Sequence, residues 1–103
     1  MIIYNVTSQI AQEIQEEWID WMQNIFIPKV LDAPYFFEVH ILKVHMDGIS
    51  DPTYAVQFKS DSKSLLKSYL IEKSVQHKNE IKERFGDQVL SFETKLELLS
   101  KHS

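Results

Sequence analysis

The spacing of apolar residues along this chain switches between the two-residue period of strands and the three-to-four-residue period of helices. Residues 2–10 alternate and predict a first strand, with β-branched or aromatic residues on both sides. A helical stripe follows, formed by Ile10, Ile14, Trp18, Trp21, Met22 and Ile25. We expect this helix to end at Pro28, because the residue before a proline is pushed out of the helical region.

A hairpin is predicted in the middle of the chain. Residues 36–46 and residues 53–59 are rich in β-branched and aromatic side chains, as strands are. The segment between them, residues 47–52, contains the Asp47-Gly48 dipeptide and a proline, which are turn signals. Two strands separated by such a turn are expected to pair antiparallel.

A second helix and a last strand complete the chain. Ser60 or Asp61 is expected to cap the helix, and Gly86 to end it in the left-handed region. The apolar stripe of this helix is Leu66, Tyr69, Leu70, His77, Ile81 and Phe85. Residues 89–98 alternate again and predict the fourth strand.

The order strand, helix, strand, strand, helix, strand is that of the ferredoxin-like split βαβ fold. We therefore predict an α+β domain, βαββαβ, over residues 1–99, with a polar tail at residues 100–103. Right-handed crossovers place two helices on one face of a four-stranded antiparallel sheet and leave the other face bare. Because the bare face carries apolar side chains, we expect two copies to pack sheet to sheet as a homodimer, a dimeric α+β barrel.

The charge and the residue types present argue against several classes of function. The chain has 15 acidic and 11 basic residues, a net charge of -4, which disfavours binding to nucleic acid or to an anionic membrane. It contains no cysteine, so disulfides and thiolate metal sites are excluded. Without a recognisable signal peptide or an apolar segment of membrane length, the expected location is cytoplasmic.

Three separated motifs resemble those of a small bacterial family known as domain of unknown function 4286. They are Trp18-Ile19-Asp20-Trp21-Met22, Ile27-Pro28-Lys29-Val30-Leu31 and Phe85-Gly86-Asp87-Gln88-Val89-Leu90-Ser91-Phe92-Glu93-Thr94. The resemblance covers nearly the whole chain and implies no assigned activity. Where the family commonly has a histidine before Ile-Pro and a glycine further on, this chain has Phe26 and Pro34.

Another stretch is similar to the dimeric α+β barrel superfamily. Phe58-Lys59-Ser60, followed by Leu65, Tyr69 and His77, resembles the strand-to-helix segment of stress-responsive A/B barrel proteins. That superfamily includes cofactor-free monooxygenases, haem-degrading enzymes and small-molecule isomerases, so the resemblance implies the fold and no single reaction. In haem-degrading members an asparagine of the first strand and a histidine of the second helix act together, and Asn5 and His77 fall in the corresponding segments.

His77 and Asn5 are therefore the candidate catalytic residues. A histidine on the apolar stripe of a helix faces the sheet or the rim of a cleft, where it could act as a general base. The plainer interpretation is a partly buried histidine that is hydrogen-bonded to backbone. The tryptophan that haem-degrading relatives place in the third strand or second helix has no counterpart here, so we expect no haem, no metal and no other cofactor.

Four further side chains are candidates for ligand binding: Thr7, His40, Gln57 and Glu93. Together with Asn5, the threonine, the glutamine and the glutamate could line a polar cleft on the bare face of the sheet. His40 shares one side of the second strand with Glu38, and the pair could form a metal site with Glu93 if the strand register allowed it. The alternative for this pair is a solvated hydrogen bond.

Three functions remain open from the sequence. The preferred hypothesis is a homodimeric module that binds a small-molecule ligand or has a structural or regulatory role. The second is a small monooxygenase or isomerase-like enzyme that uses His77 with Asn5 in a cleft between helices and sheet. The third is a protein-interaction module that uses the sheet edge. An enclosed cavity surrounded by polar groups with shifted pKa values would favour the enzyme. A solid, fully packed interface between the sheets would favour a structural role or an interaction module.

Overall fold

The computed structural model describes residues 1–48 and 51–103. Its strands are β1 (Ile2–Ile10), β2 (Glu38–Val44), β3 (Thr53–Ser60) and β4 (Val89–Glu97). The α-helices are α1 (Gln15–Trp21), α2 (Ile27–Leu31), α3 (Lys63–Glu72) and α4 (Ser74–Phe85). Short 3₁₀ turns lie at Gln12–Ile14 and Gly86–Gln88, and a π-helical turn at Met22–Phe26 joins α1 to α2. Within the described residues, no helix is long and apolar enough to cross a membrane.

The four strands form one antiparallel sheet in the order β2-β3-β1-β4. β1 is central, because it pairs with β3 on one side and with β4 on the other. β2 and β3 form the predicted hairpin. The helices pack their apolar sides on one face of this sheet, so the predicted ferredoxin-like α+β fold is confirmed.

The hydrophobic core lies between the helices and the covered face of the sheet. Trp18 is its largest fully buried side chain, and the indole ring lies 5.2 Å from the ring of Tyr54 on β3. Burial of this apolar surface is the main favourable contribution to folding. The buried hydrophobic residues are Ile2, Tyr4, Ile10, Ile14, Trp18, Trp21, Met22, Phe26, Val30, Phe36, Tyr54, Val56, Phe58, Leu66, Tyr69 and Phe85.

The first helical segment continues past Pro28, so the prediction that it ends there is wrong. Pro28 lies in the first turn of α2, and the helical segment continues through it although a proline has no N–H to donate. In the π-helical turn before it, the Ile27 N–H donates to the Met22 carbonyl, and this wider turn leaves room for the proline ring. The additional residue also rotates the helix surface, so Phe26 is buried whereas Ile25, expected on the apolar stripe, is 53% exposed.

Ser62 caps the second helical segment, instead of Ser60 or Asp61 as predicted. The Leu65 N–H donates to Ser62 Oγ at 3.1 Å, which satisfies one of the free donors of the first turn. Ser60 is still within β3 and is fully buried, and its hydroxyl donates to the Tyr35 carbonyl at 2.9 Å. The strand therefore runs further than predicted before the helix begins.

The other boundaries differ from the prediction by a few residues. The second helical segment is split at Lys73 into α3 and α4, and Gly86 ends α4 with a φ of +58°, a value that glycine adopts without strain. β2 is shorter than predicted, because Phe36 turns into the core before the strand begins. Of the predicted turn, residues 47 and 48 are seen as a turn, and residues 49 and 50 lie outside the described residues.

The sheet face opposite the helices is uncovered and is called the open face below. On β4 it carries Leu90, Phe92 and Leu96, which are 63%, 63% and 43% exposed. The two central strands contribute mostly polar side chains to it. In strand order from β2 to β4, the open face consists of Glu38, His40, Leu42, Val44, Lys59, Gln57, Ala55, Thr53, Ile3, Asn5, Thr7, Gln9, Leu96, Thr94, Phe92 and Leu90.

Candidate functional site

A cavity of about 290 Å³ lies between the helices and strands β1, β3 and β4 of the sheet. Residues of α1 and the π-helical turn line one side of it, and residues of α3 and α4 line another. Exposed side chains of α4 and β4 lie at its mouth. Five aromatic residues contribute to its lining: Tyr4, Trp18, Phe26, Phe58 and Tyr69.

Both irregular helix segments border this cavity. The π-helical turn places Met22 and Phe26 in the lining, one at each end of the widened turn. The break at Lys73 precedes Ser74 and His77, which also line the cavity. Single π-helical turns occur frequently at functional sites, because the extra residue redirects side chains that a regular helix would place elsewhere.

His77 is buried in the cavity lining and is 7% exposed. Its Nδ1 lies 2.8 Å from the Tyr69 hydroxyl, within hydrogen-bonding distance. The ring of Phe26 packs edge-on against it at 5.4 Å, so the position where the resembled family commonly has a histidine is in direct contact with His77. Burial lowers the pKa of His77, although the Glu80 carboxylate partly opposes this effect. At neutral pH the ring is therefore uncharged.

Two tyrosine hydroxyls also belong to the cavity. Burial raises the pKa of Tyr4 well above its ordinary value, and the neighbouring Glu93 carboxylate raises it further. Burial is likewise the main cause of the raised pKa of Tyr69, with the negative charge of Glu93 next. Both hydroxyls consequently remain protonated and can donate hydrogen bonds at any physiological pH.

An ion pair links the helix and strand at the mouth of the cavity. Lys78 Nζ of α4 lies 2.6 Å from Glu93 Oε1 of β4. The Lys78 side chain is 54% exposed and that of Glu93 is 35% exposed, so solvent screens the attraction. Nearby, the hydroxyls of Ser8 and Ser91 are hydrogen-bonded across β1 and β4 at 2.7 Å, and both serines line the cavity.

Asn5 does not share a site with His77, because it lies on the open face and His77 lies on the covered side of the sheet. The Asn5 amide donates to the hydroxyls of Thr7 and Thr94, both at 3.2 Å. Its Oδ1 is buried and has no hydrogen-bond partner among residues 1–48 and 51–103. Thr7 and Gln57 do neighbour Asn5 on the open face, as the alternation of β1 and β3 predicts.

Glu93 lies on the cavity side of the sheet, contrary to the prediction that it lines the open face with Asn5. In the β1–β4 register, Glu93 is opposite Val6 and Thr94 is opposite Asn5. Since alternate residues of a strand point to opposite faces, Thr94 takes the open-face position and Glu93 takes the cavity position. Glu93 is thus the predicted ligand-binding residue that shares the cavity with His77.

His40 and Glu38 form a pair on the open face of β2, with His40 Nε2 2.7 Å from Glu38 Oε1. Glu38 Oε1 also lies 2.8 Å from Lys59 Nζ, and this ammonium is the main reason that the pKa of Glu38 is lowered. The predicted metal site with Glu93 does not form, because β2 and β4 are opposite edges of the sheet. In residues 1–48 and 51–103, no cluster of three or more His, Cys, Asp or Glu side chains is placed to hold a metal.

Sequence reasoning missed several polar residues of the cavity, among them Tyr4, Tyr69 and Lys78. Tyr69 was expected on the apolar stripe of the second helix, and Tyr4 lies in the alternating first strand. The only available signal was their hydroxyl groups, since a buried tyrosine needs a hydrogen-bond partner. Lys78 follows His77 directly, but only the three-dimensional pairing of α4 with β4 brings it to Glu93.

Solved structures share this fold over nearly their whole length. A dimeric ferredoxin-like protein from an uncultured marine organism superimposes with a TM-score of 0.75 at 9% identity, covering 98% of this chain and 97% of the other. A candidate antibiotic biosynthesis monooxygenase from Deinococcus radiodurans gives 0.70 at 12% identity, covering 100% and 97%. An EthD family protein from Bacillus halodurans gives 0.62 at 9% identity, covering 91% and 97%. At such identities the similarity shows a common fold alone.

Comparison with protein sequences gives a narrower result. No curated protein matches the chain at a significant level. One family model does match, over residues 1–99, and it covers all eight strands and helices described above. The chain therefore belongs to the family described as domain of unknown function DUF4286.

Proposed function

We propose that this protein binds a small, largely apolar molecule in the cavity between its helices and sheet, and that it does so as a homodimer. The observation that carries the proposal is the cavity itself, with aromatic walls and the hydrogen-bonded pair His77 and Tyr69 in its lining. Apolar walls with a few convergent polar groups are typical of ligand sites. The volume of about 290 Å³ suits a molecule of one or two rings.

A void of this size supports binding over a purely structural role. Protein interiors are normally close-packed, and an unfilled cavity lowers stability. Trp18, Met22 and Phe26 surround the cavity without filling it, even though they are among the larger apolar side chains. The π-helical turn and the break at Lys73 both border it, so the departures from regular helix geometry coincide with the proposed site.

The homodimer is supported by the open face. Leu90, Phe92 and Leu96 form an exposed apolar row along β4, and burying such a row against a second copy would remove it from water. One of the structures with the same fold is described as dimeric. A closed, symmetric pairing of two identical faces is also the commonest form of self-association.

An enzyme is the second candidate, and the contact between His77 and Tyr69 favours it. When the Tyr69 hydroxyl accepts a hydrogen bond from Nδ1, Nε2 of the uncharged imidazole is free to accept a proton from a ligand. His77 lines the cavity, so a bound molecule can reach it. Asn5 takes no part in this proposal, since it lies on the other side of the sheet.

A cavity-filling substitution tests the binding proposal. Ile81 of α4 lines the cavity, and Ile81→Trp would place an indole ring inside it. The probe is 2-phenylethanol, whose ring and hydroxyl match the apolar walls and polar groups. We expect saturation-transfer NMR to show binding to the wild type and a loss of at least about tenfold in affinity in Ile81→Trp, as for a blocked site.

Val75→Trp is the matched control, because Val75 is exposed on the same helix and does not line the cavity. This variant should bind 2-phenylethanol like the wild type. Amide chemical shifts should move mainly at Tyr69 and His77 when the probe binds. Equal binding by wild type and Ile81→Trp, or no binding by the wild type, would contradict the proposed site.

A further inference from the structure

The Glu93 carboxylate acts on the interior of the cavity as well as on its mouth. Glu93 lines the cavity from β4, and only about a third of its side chain, 35%, is exposed. Its negative charge is among the causes that raise the pKa values of Tyr4 and Tyr69. A cation inside the cavity would therefore lie in a favourable electrostatic potential from Glu93, and an anion in an unfavourable one.

The aromatic walls of the cavity also favour a cation over an anion. The face of an aromatic ring carries negative potential and attracts organic cations, and five aromatic residues line this cavity. The histidine that reaches the interior, His77, is uncharged at neutral pH. The lysines of the lining, Lys78 and Lys82, are exposed residues of α4 at the mouth.

Lys78 occupies the place that a cationic ligand would take. Its ammonium lies 2.6 Å from Glu93 Oε1, although 54% of its side chain is exposed. An exposed lysine gains little from such a pair, because water solvates the free ammonium well and the long side chain regains its freedom on release. A ligand ammonium held in the cavity can therefore replace it at a small cost, and Asp87 at the same mouth leaves no net positive charge to repel the ligand.

We propose that the ligand of this cavity is a small aromatic or aliphatic amine, whose ammonium group binds Glu93 in place of Lys78 while its apolar part packs against the aromatic walls. The inference rests on the proposed function, since it assigns the ligand class of the same cavity. The geometry of the cavity selects its ligand by charge and size.

Three probes of nearly equal size separate charge from cavity binding. They are 2-phenylethylamine, 2-phenylethanol and phenylacetate, which present a cation, a neutral hydroxyl and an anion on the same ring. In isothermal titration at pH 7, we expect the amine to bind at least about tenfold more tightly than the alcohol, because charge-assisted hydrogen bonds are stronger than neutral ones. Phenylacetate should bind more weakly than the alcohol.

Glu93→Gln should remove the preference for the amine, so that the amine and the alcohol bind within about twofold of each other. Glu97→Gln is the matched control, because Glu97 lies on the same side of β4, is paired with Lys63 at 3.2 Å and does not line the cavity. This control should keep the full preference. Lys78→Met should tighten amine binding by removing the competing ammonium, whereas Lys63→Met should not.

The outcomes distinguish the two proposals. If the alcohol or phenylacetate binds as tightly as the amine, or if Glu93→Gln keeps the wild-type preference, the assignment of an amine ligand is overturned while the cavity remains a binding site. If none of the three probes binds the wild type, the proposed function fails together with the inference. The assignment is supported if the wild type prefers the amine, Glu93→Gln removes this preference, and Ile81→Trp loses binding of the amine.

Discussion

Trp18 is the largest fully buried side chain, and it packs the first helix on the sheet. It is 1% exposed, and its ring packs at a tilt of 34° against the ring of Tyr54, with 5.2 Å between the ring centroids. It also lines the cavity, so its removal would enlarge an existing void as well as lose apolar contact. We expect Trp18→Ala to lower the free energy of unfolding by about 3–5 kcal/mol, measured by urea denaturation.

Ile25→Ala is the control for this prediction. Ile25 is in the π-helical turn, close to Trp18 in sequence and apolar like it, but it is exposed. The substitution should change the free energy of unfolding by less than about 0.5 kcal/mol, as surface substitutions usually do. If Trp18→Ala cost less than about 1 kcal/mol, the packing of the first helix described above would be incorrect.

His77 should make stability depend on pH in the weakly acidic range. Its pKa in the folded protein is lowered from 6.5, so the unfolded chain takes up the proton first as the pH falls. The contribution of the neutral ring is therefore complete above about pH 6.5 and is lost between that value and the lowered pKa of the folded state. We expect the free energy of unfolding to fall over this range, and His77→Gln to flatten the dependence.

Two comparisons make this prediction specific to His77. His102→Gln, in the exposed C-terminal residues, serves as the matched control and should keep the wild-type slope. Glu80, which neighbours His77, has a pKa lowered from 4.5 by its hydrogen bond to Lys29, so its stabilising effect is lost only at more acidic pH. An unaltered slope between pH 7.5 and pH 5 in His77→Gln would argue against a buried neutral imidazole.

At the level of the helix, a regular period predicts the right residues only where the helix is regular. Trp18, Trp21 and Met22 were predicted correctly as the buried side of the helix, because the helix is regular up to that point. Ile10 and Ile14 are buried as well, but the prediction that they belong to the helix was wrong, since Ile10 ends β1 and Ile14 lies in a 3₁₀ turn. The π-helical turn adds a residue, so Phe26 replaces Ile25 on the buried side. The sequence signals Pro28 but does not show whether the chain accommodates it by ending the helix or by widening the turn before it, because both relieve the same steric clash.

At the level of the strand, alternation predicts which residues share a face, but the neighbouring strand decides which face that is. The alternation of β4 separates Glu93 from Phe92 and Thr94, and this separation holds in the structure. The side occupied by Glu93 depends on its pairing with Val6 of β1, which joins residues distant in the chain. The order of elements therefore predicted the sheet and allowed a cleft between helices and sheet. The residues that line the cavity could not be predicted, because they depend on the strand register and on the helix irregularities.

At the level of the whole molecule, the fold covers one face of the sheet and leaves the other in water. The central strand keeps polar groups on the open face, including the Asn5 amide bonded to Thr7 and Thr94. The apolar surface is concentrated on β4, an edge strand, at Leu90, Phe92 and Leu96. An uncovered apolar row on an edge strand promotes association. Charged residues alternate with this row on the cavity side of β4, at Glu93, Lys95 and Glu97.

The homodimer proposed above predicts that a charge in this row separates the subunits. We expect the wild type to sediment as a dimer at micromolar concentration, and Phe92→Asp to weaken the dimer at least about a hundredfold, because an unpaired carboxylate would replace a large apolar side chain in the interface. Ile71→Asp is the control, since Ile71 is exposed on the helix side, away from the open face, and this variant should remain dimeric. Circular dichroism would establish that both variants are folded. A wild type that sediments as a monomer, or equal dissociation of the two variants, would show that the open face is not the interface between copies of this chain.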